Sequence, residues 1–338
     1  MAGRLWLFFG FFSTFIYAQI GGQSVYQFLN LMSSPRQAAL GGKVLTFYDY
    51  DVNQGLFNPA TINNDMHNQL SVNYSNLFGE VTYGTASYAY MYDRHVNTFH
   101  AGVQYINYGT FDGREENGNN TGTFSGSEAA LSVGYAYNFP FTNWYVGANA
   151  KLITSSLESY TSFGGALDVG ILYRWEEYST DFTLVVRNFG TQFTTYAGLR
   201  ENMPFEILLG ISQELEHVPI RWHLTFENLQ QWQVAFANPA RAQGTLDGGQ
   251  IEERVGFVNN LLRHTIFGIE LFPDRGFNLR VGYNFRRAEE LSIVDQRTFS
   301  GISLGFGLKM NKIRFNYAYA RYTAAANSSM FGMTIDLN

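Results

Sequence analysis

Two short stretches hold residues whose types and spacing suit chemistry. Gly301-Ile302-Ser303-Leu304-Gly305 has the G-x-S-x-G pattern of a hydrolase nucleophile elbow, where a sharp strand-to-helix turn exposes the serine hydroxyl. Asp49, Asp51, Asn53 and Gly55 resemble the opening of a calcium loop, in which alternate oxygen-bearing side chains and a glycine wrap one cation. Context argues against both. Phe306 and Leu308 carry an apolar alternation on from Ser303, so the serine reads as a small residue on the wet face of a strand. In the acidic stretch the glycine falls seventh rather than sixth and Ala60 stands where the bidentate glutamate belongs, so it reads as a solvated turn. The six histidines (His67, His95, His100, His217, His223, His264) show no H-x-x-x-H pairing, and no metal site is expected. With no cysteine, the chain has no thiolate nucleophile and no disulfide framework. The acidic pairs Glu115-Glu116, Glu252-Glu253 and Glu289-Glu290 are expected on solvated loops. No catalytic residue and no cofactor is expected.

The elements that would position such residues are strands. From Phe277 to Phe285 every second residue is large and apolar, with Asn278, Arg280, Gly282 and Asn284 between them. That is a strand with one greasy and one wet face. The composition agrees. Of 338 residues only 15% are charged, 17% are aromatic, 34 are glycine and 7 are proline, the make-up of a β protein with aromatic girdles rather than an ordinary soluble domain. No internal apolar run approaches the ~20 residues of a spanning helix. A net charge of −6 without a basic stripe argues against nucleic acid as a partner.

The chain divides into three parts. Arg4, the apolar stretch Leu5 to Tyr17 and the small Ala18 read as a secretory signal over residues 1–18, cleaved before Gln19. Residues 19–68 carry turn formers such as Ser33-Ser34-Pro35, Gly41-Gly42 and Asn58-Pro59 and read as a plug. Residues 69–338 read as fourteen strands of an antiparallel transmembrane β-barrel, most of them about 8–14 residues long, against ~9–11 for a tilted membrane strand. The apolar faces include Leu70, Val72 and Tyr74 in the first strand, Val81, Tyr83 and Thr85 in the second, and Phe99 to Tyr105 in the third.

Tight turns alternate with long loops at roughly 109–126, 189–203, 229–263 and 287–297. Outer-membrane barrels have short periplasmic turns and longer outside loops, which places both ends of the wall in the periplasm. Lys151, Asp168, Glu206, Arg221, His223, Glu227, Glu270, Arg280, Lys309, Arg314 and Asn316 fall on the faces opposite the apolar ones and are expected to form a salt-bridged lumen around the plug.

The loop from Leu229 to Arg263 is far longer than a connection requires. Trp232, Val234 and Phe236 alternate, as if the ninth strand ran on. Ile251, Val255, Val258, Leu261 and Leu262 have rough helical spacing. These residues either close the barrel mouth or dock a partner. Trp232, Phe236, Phe257, Leu261 and Leu262 are the candidate partner-binding residues.

The segment Gly21-Gly22-Gln23-Ser24-Val25-Tyr26-Gln27-Phe28-Leu29-Asn30-Leu31 resembles the PorQ family, an outer-membrane component of the type IX secretion system of Bacteroidota. So do Ala38-Ala39-Leu40-Gly41-Gly42, Asn58-Pro59-Ala60, Ser155 to Gly164, Pro204 to Ile207 and Leu279 to Asn284, the Gly-Gly and Asn-Pro-Ala pieces being shared with the wider fatty-acid-transporter-like barrels. The resemblance implies a non-enzymatic member of a surface attachment complex. Its implied partners are a PorZ-type surface protein, a PorU-type sortase that links cargo to lipopolysaccharide, and a PorV-type barrel, beside the outer-membrane lipid. A rival expectation is transport of a hydrophobic small molecule, which needs an apolar pocket between plug and wall.

Overall fold

The computed structural model describes residues 24–93, 96–115, 119–235, 243–244, 250–251, 256–273, 275–291, 299–321 and 327–338. The expected signal, residues 1–18, lies outside them, as do His95, Phe236, Glu252 and Glu253.

Alternation closes into a barrel wall. The first strands are β1 (Gln69–Asn76), β2 (Thr82–Asp93), β3 (Asn97–Arg114), β4 (Asn120–Asn138) and β5 (Trp144–Leu157). β6 (Tyr160–Trp175), β7 (Thr180–Thr194), β8 (Glu206–Glu214) and β9 (Ile220–Phe226) follow. β10 (Thr265–Leu271), β11 (Phe277–Asn284), β12 (Ile302–Met310), β13 (Ile313–Arg321) and β14 (Asn327–Asp336) complete it. Each pairs antiparallel with its sequence neighbours, and β1 pairs with β14 to close the ring. This is a closed, fourteen-stranded antiparallel barrel.

Residues alternate between its two faces, with breaks at bulges such as Arg187-Asn188 in β7, where both side chains turn inward. Leu131, Val133 and Tyr135 of β4 are exposed, while Ser132 between them is fully buried. Exposed apolar side chains here face outward, where hydrocarbon rather than water suits them. Aromatic pairs band both rims. Phe99 sits 5.3 Å from Tyr135 and Trp144 4.8 Å from Tyr173 at the tight-turn end. Phe163 sits 5.5 Å from Phe193 near the other.

The structure corrects four details of the strand reading. In β2 the inward residues are Tyr83 and Thr85, with Ala86, Tyr88 and Tyr90 outward; Tyr83 turns in because its hydroxyl accepts from Gln104 Nε2 at 2.8 Å inside the lumen. Residues 109–126 are mostly strand rather than loop: β3 and β4 stay paired out to Arg114 and Asn120, helped by Phe111 stacking on Phe124 at 5.3 Å. Likewise β7 runs on to Thr194, leaving a shorter connection than expected. β9 stops at Phe226 instead of extending to Trp232, because Asn228 takes a left-handed backbone, φ 57°, that ends the ladder.

Residues 24–68 lie inside the ring. Their prolines and glycines prevent a strand, and the backbone instead forms α1 (Pro35–Ala39) and short 3-10 turns at Gln27–Asn30, Val52–Leu56, Pro59–Thr61 and Asn64–Met66. Ser34, Asp51, Asn58 and Asn63 each cap a turn by accepting a backbone N–H. Two cross-strand glycine pairs receive this backbone: Gly147 with Gly170, and Gly268 with Gly282. A methyl group on Gly147 would lie 2.2 Å from the Pro59 carbonyl oxygen, and one on Gly282 would lie 2.0 Å from the Gly41 nitrogen. Only glycine permits such contact.

Candidate functional site

The middle of the lumen is packed, and its buried charges are paired. Arg36 of α1 grips Glu270 of β10 with two hydrogen bonds, at 3.0 and 2.7 Å, and Asp49 at 2.9 Å. Arg280 reaches the same Glu270 at 2.8 Å, and Arg221 bridges Asp49 at 3.3 Å and Glu214 at 2.5 Å. The Arg36 guanidinium also lies 3.9 Å over the Phe47 ring. A second network joins Lys151 to Asp168 at 2.5 Å and to Asn188 at 2.9 Å. Beside it Lys43 contacts Glu206 and Glu227, while Arg187 donates to the Leu29 carbonyl at 2.9 Å. Each group of cations has carboxylates in reach, which is what makes buried charge tolerable. The expected salt-bridged interior is present at Lys151, Asp168, Glu206, Arg221, Glu227, Glu270 and Arg280, whereas Lys309 and Arg314 make no ion pair among the described residues.

The chemical motifs resolve into structure. Ser303 is fully buried on β12, in register with Gly282 and Ala320, and the strand continues past it, so the turn an elbow needs is missing. The acidic stretch is not a solvated turn, as its composition suggests, but a buried one. Asp49 is held by Arg36 and Arg221, and Asp51 accepts from the Asn53 backbone at 3.2 Å and its side chain at 3.0 Å. Among the described residues no group of three His, Cys, Asp or Glu is placed to hold a metal.

At the long-loop end an apolar shelf is built on α2 (Phe257–Arg263). The chain leaves β9, turns at Asn228, and lays Trp232 flat between Phe257 at 5.1 Å and His264 at 5.5 Å. Val234 and Ala235 are buried beneath the helix. Two polar residues that sequence reading passed over hold this arrangement. Asn260, itself buried, accepts from the Val234 and Ala235 amides at 3.2 and 3.0 Å and donates to the Trp232 carbonyl. His264 aims one ring nitrogen at the Glu227 carbonyl, 2.6 Å away, and the other at that of Trp232, 2.9 Å away. Their only signal in the sequence is position, i and i+4 on one helical face.

Of the candidate partner-binding residues, Trp232, Phe257, Leu261 and Leu262 come together on this shelf and remain exposed, Phe257 at 68%. Val258 joins them at 67%. The helical spacing is realised over Phe257–Arg263, and Val255 lies outside the described residues. Upstream, Gln250–Ile251 pairs with Gln243–Gly244 as a two-residue ribbon.

Near the same end a cavity of about 330 Å³ opens under α3 (Phe285–Glu290). Leu31, Met32, Ile266 and Leu291 give it an apolar side, and Lys43, Glu227, Arg286 and Arg287 a charged one. Burial works against the charge on Arg286, but Glu290 at 2.7 Å more than offsets this and raises the guanidinium above its ordinary value.

No protein-family model matches the chain, and no curated protein matches it. Among solved structures it is similar to the TodX monoaromatic hydrocarbon channel, a deltaS2 mutant. Identity is 14% over 89% of this chain and 96% of that one, with a TM-score of 0.53. CdiB from Acinetobacter baumannii matches at 11% identity, 79% and 59% coverage and TM-score 0.36. The KdgM porin matches at 5%, 80% and 99% coverage and TM-score 0.32. The TodX likeness carries the fold: this chain has the architecture of an outer-membrane barrel.

Proposed function

We propose that the chain is a non-enzymatic barrel of the outer membrane whose long loops face outward and anchor surface partners. The PorQ resemblance implies who those partners are: a PorZ-type surface protein and a PorU-type sortase, beside a PorV-type barrel, in a type IX attachment complex. One observation carries this reading, the exposed shelf of Trp232, Phe257, Val258, Leu261 and Leu262 outside the barrel wall. Contiguous exposed apolar surface marks an interaction site, and aromatic anchors commonly supply most of an interface's energy. The matched lumen supports an anchor over a pore, since passage would have to break buried ion pairs. Pull-down from solubilised outer membranes tests it. The Phe257→Ser/Leu262→Ser barrel is expected to insert at wild-type levels and lose its surface protein. Retention of the same partners overturns the reading.

A second reading, uptake of a hydrophobic small molecule, is favoured by the apolar side of the 330 Å³ cavity and by the TodX likeness. Lys43, Glu227, Arg286 and Arg287 on the other side weigh against an apolar guest. Native mass spectrometry showing one apolar molecule retained per barrel would decide for it.

A further inference from the structure

We propose that the tight-turn mouth of the barrel is a binding site for a phosphoryl group. A cleft of about 140 Å³ opens there between the luminal segment and β11–β13, lined in part by Tyr50, Arg275, Asn278, Lys309, Arg314 and Asn316. Three cations line it, and among the described residues no carboxylate does. Unlike the cations deeper in the lumen, Arg275, Lys309 and Arg314 make no ion pair among the described residues.

Two of these cations are forced together. Lys309 and Arg314 are direct cross-strand neighbours on β12 and β13, and like charges so placed repel unless an anion lies between them. Arg314 is held at the cleft by the Tyr50 ring, 3.1 Å below its guanidinium carbon. The floor gives an independent sign. Asn278 is 5% exposed, yet its side-chain oxygen has no hydrogen-bond partner. A methyl group on Gly307 would lie 2.5 Å from that oxygen, 2.8 Å from Asn316 Oδ1 and 2.9 Å from Arg280 Nη2, so glycine there leaves room among these three side chains, of which Arg280 donates to Asn316 and leaves the Asn278 oxygen free.

A phosphoryl group meets each demand. Its several oxygens accept from more than one cation at once, a role for which guanidinium is well shaped. Its P–O–H in the monoanion donates to the Asn278 oxygen, which a carboxylate cannot do while ionised. Leu308, also lining the cleft, is on the outward face, so the site borders the bilayer rim. The phosphoryl group can therefore come from a lipid headgroup or from soluble phosphate.

Isothermal titration of the intact barrel in a maltoside detergent separates the sources. One arm uses short-chain phosphatidic acid, the other inorganic phosphate. Binding of either is expected; phosphatidic acid alone identifies a headgroup site, and inorganic phosphate a soluble one. Lys309→Gln/Arg314→Gln should weaken binding by about tenfold or more, through the loss of two charge-assisted hydrogen bonds. Lys312→Gln, in the β12–β13 turn but bonded to the Asn338 carbonyl instead of lining the cleft, should not. If the double variant fails to fold, Arg275→Gln on the exposed turn reads the same site, with about a fivefold loss. No binding by wild type, or unchanged affinity in the folded variants, overturns the proposal.

Discussion

Arg36 and Glu270 meet as a bidentate pair, guanidinium Nε and Nη2 on the two carboxylate oxygens at 3.0 and 2.7 Å, with both side chains out of contact with solvent. The pair ties the luminal segment to β10. Because Arg280 also rests on Glu270, the two partners are not equivalent. Glu270→Gln takes the carboxylate from buried Arg280 and leaves Arg36 with Asp49 alone, whereas Arg36→Met leaves a carboxylate that Arg280 still answers. Each should be destabilising, by about 3–5 kcal/mol for a broken buried pair, and Glu270→Gln the more so. Denaturant unfolding of the detergent-solubilised barrel measures the order, and the reverse order would contradict this account.

The glycine contacts predict a different failure. Gly282→Val should leave the wall intact and unseat the luminal segment, since the new side chain overlaps the Leu40–Gly41 backbone. Trypsin then reaches Arg36 and Lys43, which are sheltered in the native barrel. Gly276→Val, whose nearest neighbour to an added methyl is 3.8 Å away, should stay resistant. Equal resistance in both would show that the segment seats without the glycine pair.

On the shelf, Asn260→Ala removes the acceptor of two buried amides. Leaving them unsatisfied costs about 1–3 kcal/mol. Hydrogen exchange at Val234 and Ala235 should accelerate by about tenfold or more, as local opening becomes easier, while strand amides of β9 remain protected. Unchanged exchange would mean that α2 is held by its apolar contacts alone.

The proposed orientation is open to a labelling experiment. Asn119 caps the long β3–β4 hairpin, and His217 lies in the turn after β8 at the opposite end, its side chain 91% exposed. A single cysteine at Asn119 should react with an impermeant maleimide on whole cells, and one at His217 only after the outer membrane is breached. The opposite pattern inverts the barrel.

Much of this protein is local and therefore legible in the chain. Period-two alternation fixes which residues of Phe277–Asn284 face out, and the strand count follows from repeating that reading. The excess of polar residues on the other face already requires a wet or filled lumen, since a charge facing hydrocarbon costs several kcal/mol. Where the pattern weakens, as in β2 with its inward Tyr83, the local rule picks the wrong face, because one hydrogen bond to Gln104 on the neighbouring strand β3 outweighs it. The long-range choices belong to the closed ring. Nothing near Arg36 in sequence points to Glu270, 234 residues away, and no pattern around Gly282 announces the Gly41 backbone. The shelf is divided in the same way. Its aromatic and leucine residues stand out by type, but Asn260 and His264 become its supports only when β9 and β10 pair, which brings Glu227 and Trp232 against the end of α2. Strand faces depend on backbone geometry within a few residues, whereas which charge meets which depends on how fourteen strands close.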